Sequence, residues 1–414
     1  MRPPGGSAFR LVRSGLSFGA AIVGANVLNA VFQVGLARVL DPGAYSSLVT
    51  LFAAILVVGV PTVALQTSVA RDVAARLADD DRAGAGAVLR ESAAAVLRLC
   101  AVLALAGLLV AVPVAYAINV QHPLPILGAA FAVGFSLELA VVWGGLQGAS
   151  RFGSLSLGQF GHVALKVALG FLAAAIGTGV AGIMFGLALA GAVTLVVFAL
   201  PLRPLLQAAR AERRPRARPK ARYSTSAAAS LGIFMALTTI DLLVARASFT
   251  PAVAGAYAAA SVAARAILLV PTAVTTVLFP HVATLEDRVR ERRHLLGGLA
   301  TTAGLGTLVV LLFAAFPRFL LDATFGHDYL RATHWLAPFG IAMTLYALVY
   351  VYLFHFLSLG RMRYALVAAP VLAVQAPLYA AFHARPGQLI AIQIVSAATL
   401  VVASEVYDRH VSHR

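Results

Sequence analysis

Residues 36–70 read LARVLDPGAYSSLVTLFAAILVVGVPTVALQTSVA. From Tyr45 to Val69 this stretch carries no charged side chain, and as a helix it is long enough to cross a hydrocarbon layer of about 30 Å. Apolar runs of the same length recur to either side of it. The expected spans are Ser14–Leu36, Tyr45–Val69, Ala93–Ala117, Leu124–Gln147, Ser156–Gly177 and Val180–Leu202. After a basic stretch come Ser226–Ser248, Ala254–Phe279, Leu296–Leu320, Trp335–Leu357, Tyr364–Phe382 and Gln388–Val406.

Composition leads to the same conclusion. The 414 residues are 60% hydrophobic and 12% charged, with a mean hydropathy of +0.88. A soluble domain carries about 25% charged residues, so this chain has too little polar surface to coat a water-soluble core. Lipid as solvent removes that need. A spanning barrel would show short alternating segments in place of long runs of Ala, Leu, Val and Gly. The expected fold class is therefore an all-α polytopic membrane protein with about twelve transmembrane helices.

The net charge of +16 would point to nucleic acid in a soluble protein. Here the basic residues gather in the short connections, and no nucleic-acid partner is expected. Counted alternately from a cytoplasmic amino terminus, the inner connections hold Arg2, Arg10, Arg13, Arg71, Arg76, Arg82, Arg90 and Arg151. They continue with Arg203 to Arg222, Arg288 to Arg293, Arg361, Arg363, Arg409 and Arg414. The outer ones hold only Arg38, Arg246, Arg318, Arg331 and Arg385. Both termini are expected in the cytoplasm, with the first apolar run retained as a helix and not cleaved as a signal peptide. The single cysteine, Cys100, excludes an intramolecular disulfide and any multi-cysteine metal site, and no metal centre is expected.

The longest hydrophilic stretch, Arg203–Tyr223, sets seven arginines and Lys220 against one acid, Glu212, with Pro215 and Pro219 breaking any helix. It divides the chain into an N-terminal six-helix lobe (1–202), a basic cytoplasmic linker (203–223) and a C-terminal six-helix lobe (224–414). The linker is expected to rest on anionic lipid or to draw in a lipid-linked anionic substrate. The halves echo each other. Ala37-Arg38, Asp41-Pro42, Gly43-Ala44-Tyr45 and Pro61 recur in order as Ala245-Arg246, Thr250-Pro251, Gly255-Ala256-Tyr257 and Pro271. Six helices per half make this a parallel repeat.

The run Leu36 to Tyr45 resembles the start of polysaccharide flippases in the multidrug/oligosaccharidyl-lipid/polysaccharide exporter superfamily. So do Tyr257 through Phe279-Pro280 and Leu336-Ala337-Pro338 through Gly360-Arg361. The resemblance spans nearly the whole chain. It implies two pseudo-symmetric six-helix lobes around a central cavity in a bacterial cytoplasmic membrane. It implies a substrate that is a polyprenyl-pyrophosphate-linked oligosaccharide for cell-surface polysaccharide or lipopolysaccharide biosynthesis. A glycan polymerase or glycosyltransferase is the protein partner it suggests.

Charged groups inside spans are costly and mark candidate sites. Arg265 lies about 16 Å from the outer end of its helix, and its planar fork suits a pyrophosphate. The resemblance agrees, since related flippases carry cationic residues in the cavity. The competing role is a structural partner for Asp241, about 10 Å from the same side. Glu138 and Lys166 fall at similar depth on neighbouring helices and are expected to form an ion pair or to carry ion coupling. Asp241, Glu138 and Lys166 are thus the ion-coupling candidates, for protons or sodium ions, with no other cofactor expected. Asn26, Asn29 and Gln33 share one stripe of the first helix and are candidates for sugar contact, with Arg265 for the phosphate.

No phosphate-binding loop, zinc-ligand spacing or long outer loop suggests an enzyme. The leading function is a flippase working by alternating access. The alternative is a drug or metabolite/cation antiporter of the same superfamily, which favours carboxylates over arginines in the cavity. A membrane glycan polymerase and a non-transporting scaffold are the remaining classes. The orientation has a direct check. A single cysteine placed at Ala211 in a Cys100→Ala background should react with an impermeant maleimide only from the cytoplasmic side, and one at His122 only from outside.

Overall fold

The structure is a computed structural model. It describes residues 24–120, 122–211, 224–272, 288–359 and 364–412. The first half of the first span, the basic linker beyond Ala211 and the end of the eighth span lie outside the described residues. All regular structure among the described residues is helical. The helices are α1 (24–39), α2 (Pro42–Gly59), α3 (Pro61–Ala78), α4 (Arg82–Ala117), α5 (Leu124–Gly148), α6 (Phe152–Ala175), α7 (Gly179–Ala199) and α8 (Arg203–Ala211). They continue with α9 (Ser224–Ser248), α10 (Pro251–Arg265), α11 (Arg288–Ala315), α12 (Pro317–Thr324), α13 (Thr333–Ser358), α14 (Ala365–Ala381) and α15 (Pro386–Ser412).

Among the described residues, ten stretches are long and apolar enough to cross a membrane. With α1 and the shorter apolar α14 they match the twelve expected spans. Two proline signals mark helix breaks. The second span stops being one helix at Val60, before Pro61, and α10 gives way to a 3-10 turn at Ala266–Leu268, just before Pro271. Proline has no N–H and its ring crowds the preceding turn, so a break there is the relaxed state. Helix α4 begins eleven residues before the apolar run Ala93–Ala117. Asp81 starts it, accepting from Gly84 N at 2.8 Å, and holds Arg76 at 3.1 Å. Its far face exposes Leu97, Leu105, Leu109 and Val112, as lipid contact requires.

The chain forms two compact units: residues 1–36 with 58–225, and residues 37–57 with 226–414. In the first unit α5 is the centre and packs on α3, α4 and α7. A Cβ at Gly144 would lie 2.6 Å from Gln66 O, and one at Gly148 would lie 2.5 Å from Ala70 O. These two glycines four apart let α5 meet the backbone of α3, where Gln66 also donates to Gln147 at 3.1 Å. Helix α8 lies along α4, with Gly86 against the Leu205 backbone and Ala209.

In the second unit α13 is the centre, against α10, α11 and α15. Segment 37–57 is held there by specific bonds. Arg38 Nε donates to Thr324 O at 2.8 Å and its Nη2 to Ala323 O, closing the carboxyl end of α12. Tyr329 OH donates to Ala37 O at 3.0 Å, and Thr50 donates to Leu242 O at 3.3 Å. The two copies of the sequence repeat meet here. Asp41 accepts from Gly43 N and Ala44 N at 2.9 and 3.0 Å and so starts α2. Gly43 faces Pro251, where an added Cβ would sit 2.9 Å from the proline Cβ. Gly255 faces Pro42 in return, so close that a Cβ would collide with its carbonyl oxygen. Tyr45 and Tyr257, two residues beyond each glycine, are both fully buried.

This reciprocal contact leaves no room for a side chain. Gly255→Val should destabilise the protein by about 1–3 kcal/mol, whereas Gly297→Ala, which faces open space, should be neutral. Thermal unfolding in detergent checks both.

Candidate functional site

Helix α10 carries Tyr257, Ser261 and Arg265 at four-residue intervals, so the three lie on one stripe. Arg265 is the last α-helical residue before the 3-10 turn. Its Nη2 donates to Thr238 O at 2.6 Å and approaches Asp241 Oδ1 at 3.5 Å. Asp241 is wholly buried, and Tyr257 OH donates to its other oxygen at 2.9 Å. The depth arithmetic from the sequence is thus met: Asp241 and Arg265 face each other across α9 and α10. The Arg265 side chain remains 18% exposed and its Nε has no hydrogen-bond partner, so the guanidinium is not used up by the pair.

Further polar groups gather on the same unit. Gln375 of α14 donates to Leu237 O at 3.1 Å and to Tyr379 OH at 2.9 Å, with Tyr346 OH at 3.3 Å. Ser261 Oγ, Gln375 Oε1 and Tyr45 OH are buried without a partner. Buried polar atoms left open in this number are unusual, and sites that take up water or ligand are where they occur.

The first unit holds a second cluster, and it differs from expectation. Glu138 and Lys166 do not pair. Lys166 Nζ donates instead to Asn29 Oδ1 and lies 5.7 Å from the centroid of the Phe32 ring. One turn earlier on α6, His162 Nδ1 meets Thr194 at 3.3 Å. The reason is azimuth: α5 directs its packing to α3, α4 and α7, and meets α6 at few points. Equal depth on two successive helices does not make them face each other. Glu138 lines a cavity of about 280 Å³ with Arg90 and Arg210. Of the first-helix amides, Asn29 joins Lys166, Asn26 is exposed and Gln33 is half-buried.

One charged network was missed by sequence reasoning. Arg292 of α11 donates to Asp408 Oδ2 at 2.7 Å and to Glu405, both on α15. Tyr352 OH and Arg409 Nε donate to Glu405 at 2.7 and 2.8 Å. His355, fully buried, lies 3.4 Å from Glu291 and 3.7 Å from Asp408. The network ties α11, α13 and α15 together. The four-residue spacing of Glu405 and Arg409, with Asp408 between them, was the only local signal of it.

No family model and no curated protein matches the sequence. Solved structures do match in three dimensions. The lipid II flippase MurJ in an inward closed conformation is similar with a TM-score of 0.71 and 11% identity, over 95% of this chain and 87% of that one. This is the fold of MurJ and of the MATE transporters. The eukaryotic MATE transporter AtDTX14 is similar with a TM-score of 0.65 and 12% identity, over 96% and 95% of the two chains. The inward-facing structure of a multidrug resistance MATE family transporter of the MOP superfamily gives a TM-score of 0.61 and 15% identity, over 92% of each chain. At these identities the likeness establishes the fold, and the site must be argued from its own residues.

The pair makes a quantitative prediction. Asp241→Asn leaves a guanidinium without its counter-charge and should cost about 3–5 kcal/mol, whereas Asp241→Asn with Arg265→Gln should recover most of that loss. The unfolding temperatures of the two single variants and the double variant in detergent check it.

Proposed function

We propose that this protein moves a polyprenyl-pyrophosphate-linked oligosaccharide across the bacterial cytoplasmic membrane by alternating access. The observation that carries the reading is Arg265. It is a guanidinium within a spanning segment, neutralised by one buried carboxylate, with part of its surface exposed and its buried Nε without a hydrogen-bond partner. Arginine presents paired donors that match phosphate oxygens, so a diphosphate is the natural anion for it. The open Ser261 Oγ and Gln375 Oε1 are polar atoms of the kind that take sugar hydroxyls. The likeness to a lipid II flippase is consistent with a lipid-linked cargo. On this reading Asn29 and Lys166 form a second polar patch in the first unit, and proton or sodium movement through Asp241 or Lys166 is the candidate drive. The basic segment 203–223 would lie on anionic lipid at the cytoplasmic face, and glycan-assembling enzymes would supply and consume the cargo.

A second reading has its own support. The MATE structures include multidrug transporters, and Glu138 is an intramembrane carboxylate without a protein partner among the described residues, as suits a cationic substrate. Drug or metabolite antiport is therefore the competing assignment.

Reconstituted protein separates the two. Proteoliposomes are given a fluorescent undecaprenyl-pyrophosphate saccharide in one arm and a cationic dye in the other, with and without proton or sodium gradients. Wild-type protein should flip the lipid, and the Arg265→Gln, Asp241→Asn double variant, which keeps the charge balance, should flip it at least about tenfold more slowly. Equal flipping by both overturns the role of Arg265. Dye movement without lipid movement replaces the flippase by the antiporter.

A further inference from the structure

The cavity of about 280 Å³ belongs to the first unit, and the flippase reading makes no use of it. Helices α4, α5, α7 and α8 form it, with Leu202 at the α7–α8 junction. Its walls are apolar, with Leu89, Val142, Leu195 and Leu206 among them, and three charged side chains face into it: Arg90, Arg210 and Glu138. None of the three has a hydrogen bond or ion pair with another described residue. Arg90 and Arg210 are exposed at its mouth and Glu138 is half-buried in its wall, so the carboxylate is the charge that gains most from a counter-charge there.

The charges are arranged along its length. Gly145 of α5 packs on Leu89, next to Arg90, and on Leu202, beside the start of α8. Glu138 lies seven residues from Gly145, about 10 Å further along the same helix. Ala209, next to Arg210, packs on Gly86, four residues before Arg90, so both arginines stand toward one end and the carboxylate toward the other. A simple anion would meet Glu138, and a simple cation would meet Arg90 and Arg210. A molecule with a negative group and a positive group a few atoms apart satisfies both ends. Two charge-assisted contacts of about 2.8 Å add most of the span that remains. By volume the cavity takes roughly ten non-hydrogen atoms, since a cavity of about 150 Å³ holds benzene.

The lining narrows the chemistry further. Guanidinium pairs favour phosphate. A lone carboxylate favours an ammonium that has N–H groups to donate. A quaternary ammonium is held by aromatic rings, and no aromatic residue lines this cavity. We propose that the cavity binds a phosphate ester bearing a primary ammonium group, with the phosphate between Arg90 and Arg210 and the ammonium on Glu138. The head group of an aminophospholipid and a soluble phosphate of an amino alcohol share this chemistry.

The test uses the full-length purified protein and native mass spectrometry, with short-chain phosphatidylethanolamine, phosphatidylcholine and phosphatidylglycerol, and O-phosphoethanolamine as the soluble probe. Phosphatidylethanolamine should bind about tenfold or more tightly than the other two lipids. Glu138→Gln should abolish that preference while leaving binding of phosphatidylglycerol, and Arg90→Gln with Arg210→Gln should weaken all three. Retention of phosphatidylethanolamine alone identifies the lipid as the source, and binding of O-phosphoethanolamine by itself identifies the soluble ester. Equal binding of the three lipids by wild-type protein overturns the proposal without any variant, as does a preference that survives Glu138→Gln.

Discussion

Hydrocarbon offers no hydrogen bonds, and every polar group placed in it must find a partner within the protein. That constraint explains most of what the structure contains. It forces the backbone into helices, whose bonds are internal. It turns the hydroxyls of Thr194, Thr238 and Ser136 back onto carbonyls of their own helices. It also makes the exceptions informative. The buried Asp241 is neutralised by Arg265 and held by Tyr257, whereas the Ser261 hydroxyl on the same unit is left open.

The repeat gives the second unit its internal logic. Two helix starts of related sequence face each other through glycines, and each glycine receives the proline that opens the other helix. The prolines need no N–H at that position, and the glycines let the two backbones approach. From this contact α10 runs inward to its break at Arg265, so the depth of the guanidinium is set by where α10 begins. The packing of the repeat and the position of the candidate site are therefore one geometric fact.

Much of this was legible in the residues. Length and hydrophobicity alone marked the spans, because a membrane imposes one length on all of them. Depth counted along helices brought Asp241 and Arg265 together. Depth failed for Glu138 and Lys166 because it carries no rotation about the helix axis, and Lys166 turned to Asn29. The early start of α4 escaped because Arg82 to Ser92 is helical without being apolar. The network of Arg292, His355, Glu405 and Asp408 escaped for a related reason. Arg292 and His355 stand 50 or more residues from Glu405 and Asp408 along the chain, and each reads locally as a loop charge or an isolated core residue. Tertiary pairing of charges at helix ends leaves almost no periodic trace.

Segment 37–57 belongs to a unit whose other residues begin at 226. During synthesis it emerges roughly 170 residues before the helices it packs against, an interval of roughly ten to thirty seconds at usual elongation rates. For that time an apolar helix with buried Tyr45 at its start has no native neighbour. The insertion machinery or a chaperone of the bilayer must keep it from pairing with the wrong helices. Codon choice between these segments, and not only the amino acids themselves, then bears on how much protein reaches the native state.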